Sequence, residues 1–309
     1  MISERREFLD TIRKEEEQLV FLQMRKELLS KLLKNKYAQR DGTETDLRIA
    51  RENALPSKTR TVKHFVLRVA GKEDEHTAKS GIRHNYAADL QEKIRADIPL
   101  IEREVRELIG LRAASAKALD DRRAEEETVR QELLRYIGTM RKDAKEALHA
   151  YEQADRELRL LRDTASSGHA FYTYLRALEK QLEGAAYTAN RPIGDKPYFD
   201  ILLQRAYTGQ GEKWAESAES LQIAFLADLR TLDAMTPYKY RTAGQLAFSP
   251  LFFDTTLTKL LTLRKGDTLL AGLAQATDEL ATVLLSVEEA KKEAEIVRSQ
   301  CAEGAGLVL

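Results

Sequence analysis

Apolar residues recur at alternating steps of three and four from Ile98 to Leu161, and this spacing constrains the fold more than any other feature of the chain. Thirteen of the nineteen positions on this track are apolar. The polar positions cluster between Arg112 and Glu126, where DDRRAEEE is typical of a solvated stretch. A seam this long predicts a coiled-coil helix over about 83–163. Such a rod would be about 120 Å long, which is too long for a globular bundle.

Glycine and proline residues predict where the helices end. A first helical pattern covers about 2–37, and a shorter one covers about 44–54. After about residue 250 the pattern predicts one or two further helices. The predicted stops, kinks and corners lie at Asp41-Gly42, Pro99, Gly168, Pro192 and Gly266-Asp267.

The composition agrees with long helices, because 32% of the residues are charged and only 7% are aromatic. Fourteen of the aromatic residues lie within 171–253, which predicts a compact, aromatic-rich segment there. We therefore predict an all-α, elongated protein built on long antiparallel coiled-coil helices with an aromatic-rich helical subdomain. The predicted division is a coiled-coil part at 1–168, the subdomain at 169–253, and C-terminal helices at 254–309 that pack back on the coiled coil.

The net charge of zero argues against binding to nucleic acid through bulk charge, so any such binding requires a local basic patch. The single cysteine, Cys301, has no partner within the chain and favours a reducing compartment. The charged N-terminal residues are not typical of a secretory signal, and no run of eighteen apolar residues occurs. We expect a cytoplasmic protein, with peripheral attachment to a membrane as a more specific form.

The first local basic patch is a window without acidic residues, which lies between Glu52 and Glu73. Val62, Phe65 and Val69 lie on one helix face there. We predict a basic amphipathic helix at 57–72. Such a helix can lie on an anionic membrane or in an acidic groove of a partner protein. The predicted binding residues are Lys58, Arg60, Lys63, Phe65, Arg68 and Lys72. The alternative is a core-facing apolar stripe with solvated lysines around it.

A second window without acidic residues covers 234–253 and contains PYKYR. Its predicted binding residues are Tyr238, Lys239, Tyr240 and Arg241. Aromatic and cationic side chains together suit the interface between lipid and water, and they also suit single-stranded nucleic acid. The alternative, as for the first window, is that the apolar residues face the core.

Two glutamates precede a histidine by three residues, in Glu73/His76 and Glu146/His149. This spacing places both side chains on one helix face and is the ligand pattern of di-metal carboxylate bundles. Glutamate is about one residue in ten, so five histidines should give roughly half a match by chance, and two matches are only a small excess. The sequence contains no nucleophile elbow, no glycine-rich phosphate loop and no cysteine cluster. We therefore predict no catalytic residue, metal ligand or cofactor, and a metal-dependent oxidoreductase is the third alternative.

The sequence thus predicts a non-enzymatic scaffold or adaptor that associates with itself, because an open heptad seam would leave an apolar stripe in water. A homodimer is expected, and its protein partners are unknown. Binding to an anionic membrane through the window at 57–72 is the more specific form, and nucleic-acid binding through the same windows is the alternative. Membrane binding would need Phe65 as much as Lys63, whereas nucleic-acid binding would depend chiefly on charge and fall steeply with salt.

Overall fold

The computed structural model describes residues 2–54, 73–138, 143–190, 220–236 and 266–304, and these residues form five helices and no strand. The helices are α1 (Ile2–Ala54), α2 (Glu73–Gly138), α3 (Ala144–Asn190), α4 (220–235) and α5 (Gly266–Gly304). The prediction of an all-α chain is confirmed for the described residues. At about 1.5 Å per residue, α1 is about 80 Å long and α2 about 99 Å.

Helices α1 and α2 pack against each other, and the ion pairs between them give their relative direction. Residue numbers fall along α2 as they rise along α1, so the two helices run antiparallel. The pairs are Arg5 with Glu132 at 2.8 Å, Arg25 with Glu104 at 2.6 Å, and Arg95 with Glu44 at 3.0 Å. The side of α2 that faces α1 carries positions of the apolar track, because Ile98, Leu108, Leu119 and Leu133 are all buried.

Helix α3 runs parallel to α1 and antiparallel to α5, again as its ion pairs indicate. The pairs with α1 are Glu152 with Arg13, Arg156 with Glu16, and Arg159 with Glu17. The pairs with α5 are Asp155 with Arg298, Arg162 with Glu295, and His169 with Glu288. The pair of α1 and α2 therefore lies beside the pair of α3 and α5.

Two apolar clusters form the core. The larger one draws leucines from all five helices and contains the rings of Phe171 and Phe225, whose centroids lie 6.2 Å apart. The smaller one lies where α1 begins, α2 ends and α3 begins, and it is centred on Leu9, Ile137 and Tyr151. These clusters are separated along α1 and α3 by a group of charged side chains.

The prediction of one rod over about 83–163 is wrong, because α2 ends at Gly138 and α3 begins at Ala144. The chain reverses direction between them. The track positions agree with the buried face in part of α3, because Ala154 and Leu161 are buried, but not at its beginning. The track predicts Ala147 and Ala150 as seam positions, but Leu148 and Tyr151 are the buried residues, and Ala150 is exposed.

The helix stops predicted at Asp41-Gly42 and at Gly168 are also wrong, since α1 continues to Ala54 and α3 to Asn190. Helix α2 likewise has no boundary at Pro99. A glycine costs a helix only about 1 kcal/mol relative to alanine, and the burial of neighbouring side chains outweighs that cost.

Two other predicted helix ends agree with the structure. Helix α3 ends two residues before Pro192, and α5 begins at Gly266. The predicted helix at 57–72 lies outside the described residues, as do most residues of the predicted aromatic-rich subdomain. The division into three parts stays a prediction.

Candidate functional site

The structure buries four charged side chains between α1 and α3, and this group is the most unusual feature of the core. Arg13, Glu17, Glu152 and Asp155 are each only 5–8% exposed. Their spacings of four on α1 and three on α3 place each pair on one helix face. Charged residues are almost never buried this deeply unless they are paired. We call these four residues, together with Arg130, Arg159 and Arg298, the ionic layer.

Glu152 is the carboxylate that joins three helices at one end of the ionic layer. It accepts a hydrogen bond from Arg13 on α1, and Arg130 on α2 donates another to it at 2.9 Å. Arg13 also donates to Asp10 at 2.9 Å, and Arg130 to Glu126 at 3.1 Å. Both arginines therefore lie between two carboxylates, and the charge of Glu152 is compensated from two sides.

Arg159 and Asp155 form the other end of the ionic layer and connect α3 with α1 and α5. Arg159 donates two hydrogen bonds to Glu17, at 2.9 and 3.3 Å, in a fork-to-fork arrangement. Asp155 accepts from Arg159 and, at 3.0 Å, from Arg298 on α5. The guanidinium group of Arg298 also lies 5.7 Å from the centroid of the Tyr151 ring.

The pKa values of two arginines in the ionic layer are raised by their acidic partners. Burial alone would lower the pKa of Arg159, but its hydrogen bonds with Glu17 and the charge of Asp155 raise that pKa overall. Burial would likewise lower the pKa of Arg130, and Glu152 raises it overall. The carboxylates of this layer already accept hydrogen bonds from arginines on neighbouring helices, so the layer acts as a structural connection.

A second group of acidic residues lies where α4 packs on α3, and its Asp228 is half-buried. Burial raises the pKa of Asp228 to about 6, against the lowering effect of a hydrogen bond with Ser167. The carboxylate of Asp163 raises the pKa of Asp228 further, and Arg25 lowers it. Burial also raises the pKa of Asp163 itself, and Glu17 adds to this effect.

This raised pKa predicts that Asp228 destabilises the fold at neutral pH. Its pKa is 3.8 in the unfolded chain and about 6 in the folded one, so its full stabilising contribution exists only below about pH 4 and is lost as the pH rises through 6. We expect Asp228→Asn to raise the free energy of unfolding at pH 7 by about 2 kcal/mol and to reduce its dependence on pH over this interval. Chemical denaturation at a series of pH values measures both.

Asp120→Asn is the matched control for Asp228→Asn, because Asp120 is exposed on α2. It should leave the pH dependence of stability unchanged. An Asp228→Asn variant with the pH profile of the natural chain would contradict the assignment of the titration to Asp228.

The predicted metal motifs do not form a cluster in the part of the chain that the structure describes. Glu146 and His149 are both exposed, and the His149 ring lies 3.0 Å from the Gln153 amide nitrogen. Glu73 and His76 belong to α2, but their side chains are not among those described. Among the described residues, no three His, Cys, Asp or Glu side chains lie close enough together to hold a metal ion.

All ten predicted binding residues lie in segments 55–72 and 237–265, outside the described residues. The structure therefore neither brings them together nor separates them. Sequence reasoning missed the ionic layer, although α1 carries a signal for it. Between Ile12 and Leu19 the apolar pattern is interrupted for six residues, and Arg13 and Glu17 occupy the vacant core positions.

No described helix is both long enough and apolar enough to cross a membrane. No protein family model matches the chain, and no curated protein or solved structure is significantly similar to it. Sequence similarity therefore assigns no function, and the contacts, charges and exposed surfaces of the helices carry the functional proposal.

Proposed function

We propose that this protein is a non-enzymatic helical scaffold that associates with itself through its long helices. The observation that carries the proposal is a set of large apolar side chains that are exposed on α2 and α5 among charged, polar and small residues. They are Leu100, Ile109, Leu111, Leu285, Ile296 and Val297. Leu100 and Leu111 share one exposed face of α2, and Leu285 and Ile296 share one exposed face of α5, because the members of each pair are eleven residues apart. Exposed apolar residues on one face favour contact with another protein surface.

The ionic layer and the antiparallel helix pairs support the same proposal, because a scaffold must hold its binding surfaces at fixed distances. The arginines of the layer connect α1, α2, α3 and α5, so a sliding movement of one helix would break several buried ion pairs. A rigid assembly about as long as α2 would keep partners bound at its two ends nearly 100 Å apart.

Self-association predicts that the purified full-length chain has a mass of two chains at equilibrium. Sedimentation equilibrium over a wide range of protein concentration measures this mass directly. A reversible dimer should dissociate on dilution, because the interface would be limited in area and no covalent link is required. A chain that stays monomeric at the highest concentration would contradict the proposal.

The proposal has a membrane-binding form that rests on the basic window at 57–72. Five basic residues beside Phe65, without an acidic residue among them, favour an anionic lipid surface. This window lies outside the described residues, so the membrane form stays a prediction from the sequence. Nucleic-acid binding through the same window is the alternative partner class.

A further inference from the structure

Helix α4 is buried around nearly its whole circumference, whereas each of the long helices keeps an exposed face. Only Ser220 and Ala234 are exposed among its residues. Its side chains belong to the larger cluster, where the centroid of the Phe225 ring lies 6.2 Å from that of Phe171 on α3. The buried residues of α4 are Gln222, Ile223, Phe225, Leu226, Ala227, Leu229, Thr231 and Leu232. A helix that buries all of its sides depends on its neighbours for its stability.

One of the buried residues of α4 is polar and unpaired. Gln222 is 0% exposed, and within the described part of the chain neither its amide nitrogen nor its amide oxygen has a hydrogen-bond partner. Thr231, the other buried polar residue of α4, donates to the carbonyl oxygen of Ala227 at 2.8 Å. In water the amide of Gln222 would be hydrogen-bonded. A released α4 would therefore regain hydrogen bonds that the docked helix lacks.

Asp228 adds a carboxylate to the contact between α4 and α3. On α3, the Ser167 side chain forms a hydrogen bond with it, and Asp163 places a second negative charge nearby. On α1, the positive charge of Arg25 favours the ionised form of Asp228, but Arg25 forms its ion pair with Glu104 on α2, at 2.6 Å. The half-buried carboxylate of Asp228 thus has no ion pair of its own with any described residue.

Asp163 belongs to the same group of acidic residues. Burial raises the pKa of Asp163, Glu17 on α1 adds to the rise, and Arg159 and Lys14 lower it. Two carboxylates, those of Asp163 and Asp228, therefore lie near each other where α4 packs on α3. Protonation of one of them relieves their repulsion.

We propose that α4 is a proton-sensitive switch, which docks in the core in acidic solution and leaves it as a unit more often at neutral pH. The repulsion between Asp228 and Asp163 and the unpaired amide of Gln222 both oppose the docking of α4. The long helices keep their own contacts, because α1 packs on α2, α3 packs on α5, and the ionic layer joins the two pairs. The switch goes beyond the proposed self-association and does not depend on it.

The chain is long enough on both sides of α4 for this movement. In the sequence, 29 residues lie between α3 and α4, and 30 residues lie between α4 and α5. Stretches of this length can span the thickness of a helix bundle several times. Helix α4 can therefore leave the core without unwinding α3 or α5, and its release uncovers Phe171 on α3.

The direction and size of the pH effect follow from the titration of Asp228. Its pKa is about 6 in the docked helix, against the ordinary value of 3.8. The docked state binds the proton more tightly, so docking is strongest below about pH 4 and weakens as the pH rises through 6. Between pH 5 and pH 7.5 the ratio of docked to released α4 should fall about tenfold.

Hydrogen exchange of the natural chain at pH 5 and pH 7.5 tests the switch, once each rate is divided by the intrinsic rate at that pH. We expect peptides from α4 to be about tenfold less protected at pH 7.5. At both pH values α4 should be less protected than the smaller cluster around Leu9 and Leu133. Its exchange should also depend less on urea concentration, because local opening exposes less surface than global unfolding. Equal protection and equal urea dependence of α4 and the smaller cluster would overturn release as a unit.

Three variants separate the titration from the unpaired amide. Asp228→Asn should remove the pH dependence of α4 protection and raise that protection at least about tenfold at pH 7.5. Gln222→Leu should instead raise α4 protection by the same factor at both pH values, because an amide does not titrate. Asp120→Asn is the control on the exposed surface of α2 and should change neither.

Two outcomes would overturn the assignment of these residues. An Asp228→Asn variant that keeps the tenfold difference between the two pH values would show that another group senses the proton. A Gln222→Leu variant with a less protected α4 would show that the amide stabilises the docked helix.

Discussion

Glu152→Ala should lower the free energy of unfolding by about 3–5 kcal/mol, the largest effect that we expect from one substitution in this protein. Glu152 accepts hydrogen bonds from Arg13 and Arg130 inside the helix pack. Its removal leaves the buried guanidinium of Arg13 with only Asp10 as a carboxylate partner. Arginine cannot lose its charge at accessible pH, so the protein has to hydrate this group or leave it uncompensated. Urea denaturation followed by circular dichroism measures the change.

Glu295→Ala is the matched control, because it also removes a glutamate that pairs with an arginine. Glu295 and Arg162 form an ion pair of 2.9 Å between α3 and α5, but both side chains are exposed. An exposed pair contributes little, so we expect a change of less than about 0.5 kcal/mol. Equal effects of the two substitutions would show that the ionic layer is hydrated and would contradict its structural role.

A double replacement distinguishes the effect of removing both members of the Arg13–Glu152 ion pair from the effect of leaving one charged member without its partner. When both members of a buried ion pair become apolar residues of similar volume, stability is often kept or improved. We therefore expect Arg13→Met to recover part of the stability that Glu152→Leu removes. The ionic layer would then serve to set the relative positions of α1 and α3 rather than to maximise stability.

The all-α class and the apolar face of α2 could be predicted because both depend on local spacing. A residue such as Leu108 or Leu119 repeats with the helical period wherever the helix packs, so its burial needs no knowledge of the partner. The reversal after Gly138 could not be predicted in the same way. Both helices bury one face, and the track continues across the turn to the buried positions Ala154 and Leu161 of α3, so apolar spacing alone gives no sign of the reversal.

The ionic layer could not be predicted from the sequence, for a different physical reason. Glutamate and arginine three or four residues apart on a helix are usually solvated, and the chain contains many such pairs at its surface. The burial of Arg13 and Glu152 depends on contacts between residues 139 positions apart, which local spacing does not encode. Only the interruption of the apolar pattern after Ile12 indicates that charge enters the core.

Gly168→Val should lower the free energy of unfolding by about 3 kcal/mol, because this glycine allows two helices to approach α3. A Cβ atom here would lie 2.5 Å from Cδ2 of Leu284 on α5 and 2.7 Å from Cε2 of Phe225 on α4. Phe225 is fully buried against Phe171, so its ring cannot move without opening the larger cluster. Added methyl groups in a packed core force such shifts and cost about 1–3 kcal/mol, more when the neighbours are rigid.

Gly42→Val distinguishes crowding from the intrinsic preference of valine for a helix. Gly42 is also an interior residue of a long helix, but a Cβ atom there would have no neighbour within 4 Å. Valine is a slightly better helix former than glycine, so we expect a change of less than about 0.5 kcal/mol in the stabilising direction. Denaturation of both variants under the same conditions gives the comparison. If Gly168→Val were tolerated equally well, α4 and α5 would not pack on α3 at this residue, and the larger cluster would need a different arrangement.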